Sequence, residues 1–180
     1  MTITAAILTV SDRCSRGQAT DTSGPALADL VRTRLGGTIL AAACVPDEAD
    51  QIARQIKAWA TDAPRPDLIV TTGGTGLAPR DVTPEATLLV LERRHAGLME
   101  LIRIRCLAKT PRAFLSRGEG GTIARSLVIN LPGSQRGSTE SLEALLDILP
   151  HAIETLRGEV QDDGRPDATR QSGKVIAHRD

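Results

Sequence analysis

The chain is nearly without aromatic residues: Trp59 and Phe114 stand alone, and Tyr is absent. That excludes a row of aromatic faces on which the bases of a single strand could stack. Neither sign of charge is in excess, with 22 basic against 22 acidic residues. A general polyanion binder carries a basic surplus, so nucleic acid is not an expected partner, whereas a small phosphorylated ligand held by a local cluster is compatible. Cysteine is sparse, and Cys14, Cys44 and Cys106 form no CxxC pair. They read as the reduced thiols of a cytoplasmic protein, not as a disulfide framework or a zinc site. No apolar run approaches the ~20 residues that cross a membrane. The opening MTITAAILTVSD has no basic start and turns polar, so it reads as a strand and not as a signal peptide. No GxSxG elbow is present, and His95, His151 and His178 fall on expected helices or in the tail. This scatter argues against a nucleophilic triad and against a histidine metal site.

What is present is a core stock of Leu, Ile, Val and Ala, within 41% hydrophobic residues and a length of 180 that suits one domain. Strand-like segments at 3–10, 38–45, 67–72, 113–116 and 126–131 alternate with helical patterns. Pro25 opens one helix, and Leu27, Leu30, Val31 and Leu35 share its face before Gly36-Gly37 end it. Asp47 can cap the next, which carries Ile52, Ile56 and Trp59. Thr83 is placed to cap a third, with Pro84 at its first position, running to about Arg94. A fourth spans 97–107. The last carries Leu142, Leu145, Leu149, Ile153 and Leu156, with a kink or restart at Pro150. The alternation predicts a three-layer α/β/α fold around a mostly parallel sheet. The domain is expected over 1–160, and the polar, aperiodic 161–180 reads as a flexible tail.

In such sheets ligands bind beyond the carboxyl ends of the strands. Small, hydroxyl and charged residues gather there: Ser11, Asp12, Arg13 and Ser15; Asp47; the stretch TTGGTGLAPRD with Thr72, Gly73, Gly74, Thr75, Gly76, Arg80 and Asp81; Ser116 and Arg117; and Asn130, Pro132, Gly133 and Ser134. The glycine loop matches neither GxGxxG nor GK[ST]. It still offers backbone amides, Thr hydroxyls and a helix start to a phosphate. A plain tight turn is the competing reading. Asp81 beside such a cradle, with Asp47 as a second carboxylate, is an arrangement for Mg²⁺, which takes one or two carboxylates plus phosphate oxygens. Asp47 equally suits a helix cap, and Asp12 a turn. Arg13, Arg16, Arg80 and Arg117 all fall at strand exits, where guanidinium forks suit phosphate oxygens. Phosphoryl or nucleotidyl transfer needs little beyond positioning, metal and charge neutralisation, and it fits this set without a covalent intermediate.

The stretches TTGGTGLAPRDVTPEAT, LSR at 115–117 and NLPGS at 130–134, with the opening ILTVSDRCSRGQATDTSGPAL, resemble the molybdopterin-binding family. That family comprises bacterial molybdopterin adenylyltransferases, their MoaB-type relatives and the G domains of gephyrin and plant Cnx proteins. The likeness covers roughly 3–157. It implies the α/β fold above, a homotrimer, and a site in which MgATP adenylylates molybdopterin and pyrophosphate leaves, with ATP as co-substrate. The product passes on to metal insertion, so a downstream molybdate-insertion protein is an expected partner. Carried over by motif, Thr72 to Gly76, Ser116, Asn130, Pro132, Gly133 and Ser134 line the nucleotide pocket. Asp81 and Asp47 are the catalytic, metal-associated aspartates, and the loop with Ser11, Asp12, Arg13 and Ser15 faces molybdopterin. After NLPGS this chain reads Gln135-Arg136, a departure from the usual continuation. The alternative reading is a non-catalytic MoaB-type binder or scaffold. In a third reading, water accepts the nucleotidyl group and the protein is a pyrophosphatase.

Overall fold

A computed structural model describes residues 2–159; the expected tail over 161–180 lies outside them. The strands are β1 (Thr4–Val10), β2 (Thr38–Val45), β3 (Leu68–Thr72), β4 (Arg93–Arg94), β5 (Gly120–Ile123) and β6 (Ser126–Leu131). The helices are α1 (Asp12–Ser15), α2 (Ser23–Arg34), α3 (Ala49–Thr61), α4 (Thr83–Leu88), α5 (Ala96–Leu107), α6 (Gln135–Glu143) and α7 (Leu149–Arg157), with a 3-10 turn at Pro111–Leu115. One six-stranded sheet runs β2-β1-β3-β6-β5-β4. Its first four strands are parallel, and β5 and β4 are antiparallel to their neighbours.

The period-2 alternation of strand side chains sends β1, β3 and β6 into two separate cores. Ile3, Ala5, Ile7, Leu68, Val70, Leu127, Ile129 and Leu131 face α2, α5, α6 and α7. Leu8, Val10, Ile69 and Val128 face Ile52, Ala53, Ile56 and Ala60 of α3, with Ala86 of α4. Three layers result, as the alternating pattern predicts. From β1 the chain crosses through α2 to β2 on one side. It then returns through α3 to β3 on the other side of β1. A crevice therefore opens between the carboxyl ends of β1 and β3, the place where ligands settle in such sheets.

The structure departs from the sequence expectations at several elements. Segment 113–116 is not a strand: the Thr110 hydroxyl accepts from the Arg112 N–H at 3.3 Å and starts the 3-10 turn at Pro111. The glycines at 120 and 121 are not loop but strand β5. A Cβ on Gly121 would lie 2.2 Å from the Arg93 carbonyl oxygen, so the close approach of β4 demands a residue without one. Helix α4 stops at Leu88, well before Arg94, because Glu92 and His95 donate their amides to Thr122 and Gly120 of β5 at 2.9 and 2.7 Å. Sheet pairing there overrides helix propensity. Thr83 is the first helical residue, not the cap. The terminal helix is two, with Pro150 in the first turn of α7, where its missing N–H costs nothing. The loop after β1 contains the short α1, capped by Ser11, whose hydroxyl accepts from the Cys14 amide at 3.3 Å.

Candidate functional site

The glycine loop, 73–81, leaves β3 at the crevice. Gly73 and Gly74 have φ of +105° and +61°, in the left-handed region that side chains disfavour. A Cβ on Gly73 would also sit 2.1 Å from the Val10 carbonyl oxygen, which shows how closely the loop crosses the end of β1. The turn is pinned from behind. Thr83 donates its hydroxyl to the Gly73 carbonyl at 2.9 Å and its amide to the Gly74 carbonyl at 3.0 Å. Arg117 donates its amide to the Thr75 carbonyl at 2.8 Å and its Nε to the Gly76 carbonyl at 2.7 Å. In a trans peptide the next N–H points the opposite way from the carbonyl. The amides of Gly74, Thr75, Gly76 and Leu77 therefore point away from these anchors. Among the described residues those four amides have no hydrogen-bond partner.

The two expected aspartates flank the loop. A Cβ on Gly74 would come 3.1 Å from Oδ1 of Asp47, and one on Gly76 would come 2.8 Å from Oδ2 of Asp81. Asp47 does not cap α3; the residue before that helix is Glu48, and Asp47 instead accepts the Asp12 amide at 2.8 Å. Burial pushes the Asp47 carboxyl above its usual range. The Asp12 amide and Arg80 oppose the rise, and the nearby Asp12 and Asp81 charges add to it. Asp81 accepts the Ala78 amide at 3.0 Å within its own turn. Among the described residues no cluster of three or more His, Cys, Asp and Glu is arranged to hold a metal. Two carboxylates short of a full ligand set suit an ion completed by phosphate oxygens.

Three arginines of the rim, Arg16, Arg80 and Arg117, are engaged with protein groups. Arg80 forks onto Asp12, with Nε at 3.1 Å from Oδ2 and Nη2 at 3.0 Å from Oδ1, and also reaches Glu48 at 3.0 Å. It thereby bridges the exits of β1, β2 and β3. Partial desolvation draws the Asp12 carboxyl up, but the Arg80 fork and Arg16 outweigh it and hold it below the usual range. Arg13 is exposed, and Ser15 is spent on the Asp12 carbonyl at 3.1 Å.

On the far side, the Thr72 hydroxyl donates to the Pro132 carbonyl at 2.7 Å, and the Ser23 hydroxyl donates to the Gly133 carbonyl at 2.8 Å. A Cβ on Gly133 would lie 3.1 Å from Cα of Gly73, so the NLPG turn lies directly against the glycine loop. Ser134 caps α6 by accepting the Gly137 amide at 3.1 Å. Ser116 is half-buried and sits 3.5 Å from the Thr75 hydroxyl. Asn130 is fully buried. It donates to the hydroxyls of Thr71 and Thr87 at 2.9 and 3.0 Å and accepts the Glu119 amide at 3.1 Å, so it braces the site from beneath.

The structure thus gathers the loop, both aspartates, Ser11 to Asp12, Ser116 and Pro132 to Ser134 at one rim. Sequence reasoning missed the role of Thr83 as an anchor of the turn and the part played by Glu85, which pairs with Arg117. The one available signal was their place in the first turn of α4, directly after the loop.

The sequence pattern described as "Probable molybdopterin binding domain" matches residues 6–151. The chain is 40% identical over 158 residues to the molybdenum cofactor synthesis protein cinnamon of Drosophila melanogaster, covering 88% of this chain and 26% of that longer protein. It is 39% identical over 158 residues to the molybdopterin adenylyltransferase of Helicobacter pylori strain J99, covering 87% of this chain and 89% of that protein. Its fold is similar to the crystal structure of the molybdopterin biosynthesis enzyme MoaB from Thermus thermophilus, with a TM-score of 0.82 and 46% identity over 87% of this chain and 98% of that one.

Proposed function

The chain belongs to the molybdopterin-binding domain family, and on that premise we propose that it adenylylates molybdopterin with ATP in molybdenum cofactor biosynthesis. The observation that carries the chemistry is the row of four unpartnered amides at 74–77, between two aspartates, at the crevice of a parallel sheet. A terminal phosphate oxygen of molybdopterin forms a bond to the α-phosphorus of ATP. The bond from that phosphorus to the bridging oxygen breaks, and pyrophosphate departs. Two polyanions must meet, so the site has to cancel charge before it can align them. The loop amides bind and orient the nucleotide phosphates, and Ser116 and the Pro132–Ser134 turn close the pocket beside them. Ser11, Asp12, Arg13 and Ser15, across the crevice on β1's exit, face the molybdopterin side. Asn130 and Thr72 hold the two halves of the pocket in register.

Asp47 and Asp81 are the residues that would hold Mg²⁺. Bound there, the ion would neutralise phosphate charge and polarise the reacting phosphoryl group. The fit rests on Asp47, a partly buried carboxylate beside Asp12 and Asp81; among the described residues its one direct hydrogen-bond donor is the Asp12 amide. No proton need leave the attacking phosphate, and among the described residues no histidine stands at this rim.

The unit acts as the domain over 1–160, cytoplasmic and homotrimeric, and it hands its product to the molybdate-insertion step. Support for assembly comes from exposed Ile104, Leu107, Phe114 and Leu115 on α5 and the adjoining turn. Among the described residues no helix is long and apolar enough to cross a membrane. The test is purified protein with molybdopterin and MgATP, followed by mass spectrometry for adenylyl-molybdopterin and by pyrophosphate release. Product formation supports the reading; molybdopterin binding without product assigns a carrier instead.

A further inference from the structure

Arg117 follows the half-buried Ser116 and sits behind the glycine loop. Its donors are spent on the loop itself: Nε on the Gly76 carbonyl at 2.7 Å and Nη2 on the Asp81 carbonyl at 2.6 Å. Its amide takes the Thr75 carbonyl at 2.8 Å. The remaining guanidinium edge forks onto Glu85 in the first turn of α4, with Nη1 on Oε1 and Nη2 3.4 Å from Oε2. The Arg117 hydrogen bond holds the Glu85 carboxyl below its usual range.

We propose that Arg117, backed by Glu85, is a positioning residue that aims the loop amides and Asp81 at the nucleotide without touching it. The proposal rests on the adenylyltransferase reading above. The geometry supplies the reason. Carbonyls of Thr75, Gly76 and Asp81 carry partial negative charge, and any of them turned into the crevice would repel a polyphosphate. A single guanidinium draws two of them backward while the same residue's amide draws the third. The N–H groups of Gly76, Leu77 and Val82 turn forward as a consequence. The planar fork suits this task because its donors diverge at fixed angles, so two carbonyls and one carboxylate are served at once. Glu85 offsets the positive charge and fixes the fork's rotation, which makes Arg117 a strut and not a phosphate clamp.

The test measures MgATP affinity by calorimetry, together with KM for each substrate, in Arg117→Ala, Arg117→Lys and Glu85→Gln. Folding is monitored by circular dichroism at the assay temperature. Arg117→Ala weakens MgATP by about tenfold to a hundredfold, as misplaced site groups do, and leaves KM for molybdopterin within about twofold. Arg117→Lys, which serves one carbonyl in place of two, recovers part of the loss. Glu85→Gln weakens MgATP slightly. Tighter MgATP binding in Glu85→Gln would mean that freed Arg117 meets phosphate directly, and it would overturn the proposal. So would unchanged affinity in a folded Arg117→Ala. Full MgATP affinity in the wild type without adenylylated product would sink the enzyme reading while leaving the strut intact. Wild type that fails to bind MgATP would sink both.

Discussion

Asp67 and Asp47 stand at opposite ends of the same sheet and show what each end is for. Asp67 lies at the amino-terminal edge, just before β3. It accepts the Thr4 amide and hydroxyl at 2.7 and 2.6 Å, and Arg157 of α7 forks onto it at 2.8 and 2.6 Å. Burial draws its carboxyl up, but Arg157 and Thr4 outweigh burial and hold it below the usual range. Asp47, at the carboxyl-terminal edge, has among the described residues one amide for a partner and two aspartates for neighbours, and its carboxyl is held above that range. The first edge is closed by matched charges and ties the last helix to the first strand. The second is left with unmatched carboxylates and unpartnered amides, a deficit that a phosphate and a cation remove together. Stability is concentrated at one end of the sheet, and reactivity at the other.

The sharpest break of this contrast is Asp81→Ala. It is expected to lower kcat for adenylylation by about a hundredfold or more while the protein stays folded, measured by pyrophosphate release with saturating MgATP. Normal turnover would remove Asp81 from the site. Arg157→Ala should do the reverse. Leaving Asp67 charged and half its donors lost costs about 2–3 kcal/mol of unfolding free energy by urea titration, with kcat unchanged in the folded protein at low temperature. Gly76→Ala tests the close packing of loop and aspartate. The added Cβ meets only the Asp81 carboxylate, at 2.8 Å. Activity is expected to fall about tenfold or more through displaced Asp81, with thermal stability lowered far less. The smallest change in stability belongs to Asp47→Asn, which keeps the acceptor for the Asp12 amide and deletes the costly charge. It should raise the thermal midpoint by about 1–3 °C while abolishing activity.

The same two residues give opposite pH signatures. Asp67, depressed below its ordinary 3.8, contributes stability that is fully present above that value and lost as pH falls through the lower folded value. Asp47, raised above its ordinary 3.8, costs stability when ionised, and the cost is relieved as pH falls through the raised value. Urea titrations should therefore show the advantage of Asp47→Asn over wild type shrinking between neutrality and about pH 4, before the Asp67 contribution is lost at still lower pH. An advantage independent of pH would place the effect of the substitution elsewhere than in the charge.

Much of this arrangement was legible in the sequence. Strands β2 and β6 match their expected bounds because their β-branched or apolar runs are bounded by turn residues, β2 by Gly37 and Pro46 and β6 at its end by Pro132. Most rim residues followed from reading what succeeds each strand; Ser116 and Arg117 instead follow a 3-10 turn and reach the rim through their contacts with Thr75. What misled were segments whose local chemistry is decided by a neighbour. Two glycines in β5 look like loop until β4 is seen pressing on Gly121. Thr83-Pro84 looks like a cap until the loop folds back and takes the hydroxyl. Arg80 and Arg117 look like phosphate ligands until their carboxylate partners, 68 and 32 residues away, come into place.

The sequence by itself determined the periodicities, the turn residues and the set of groups able to handle phosphate, because these depend on each residue's own backbone and side-chain preferences. Tertiary structure alone decided which of those groups remain free. A hydrogen-bond donor or a charge is available to a ligand only if the fold has not already matched it, and matching depends on residues that the chain brings together from far apart.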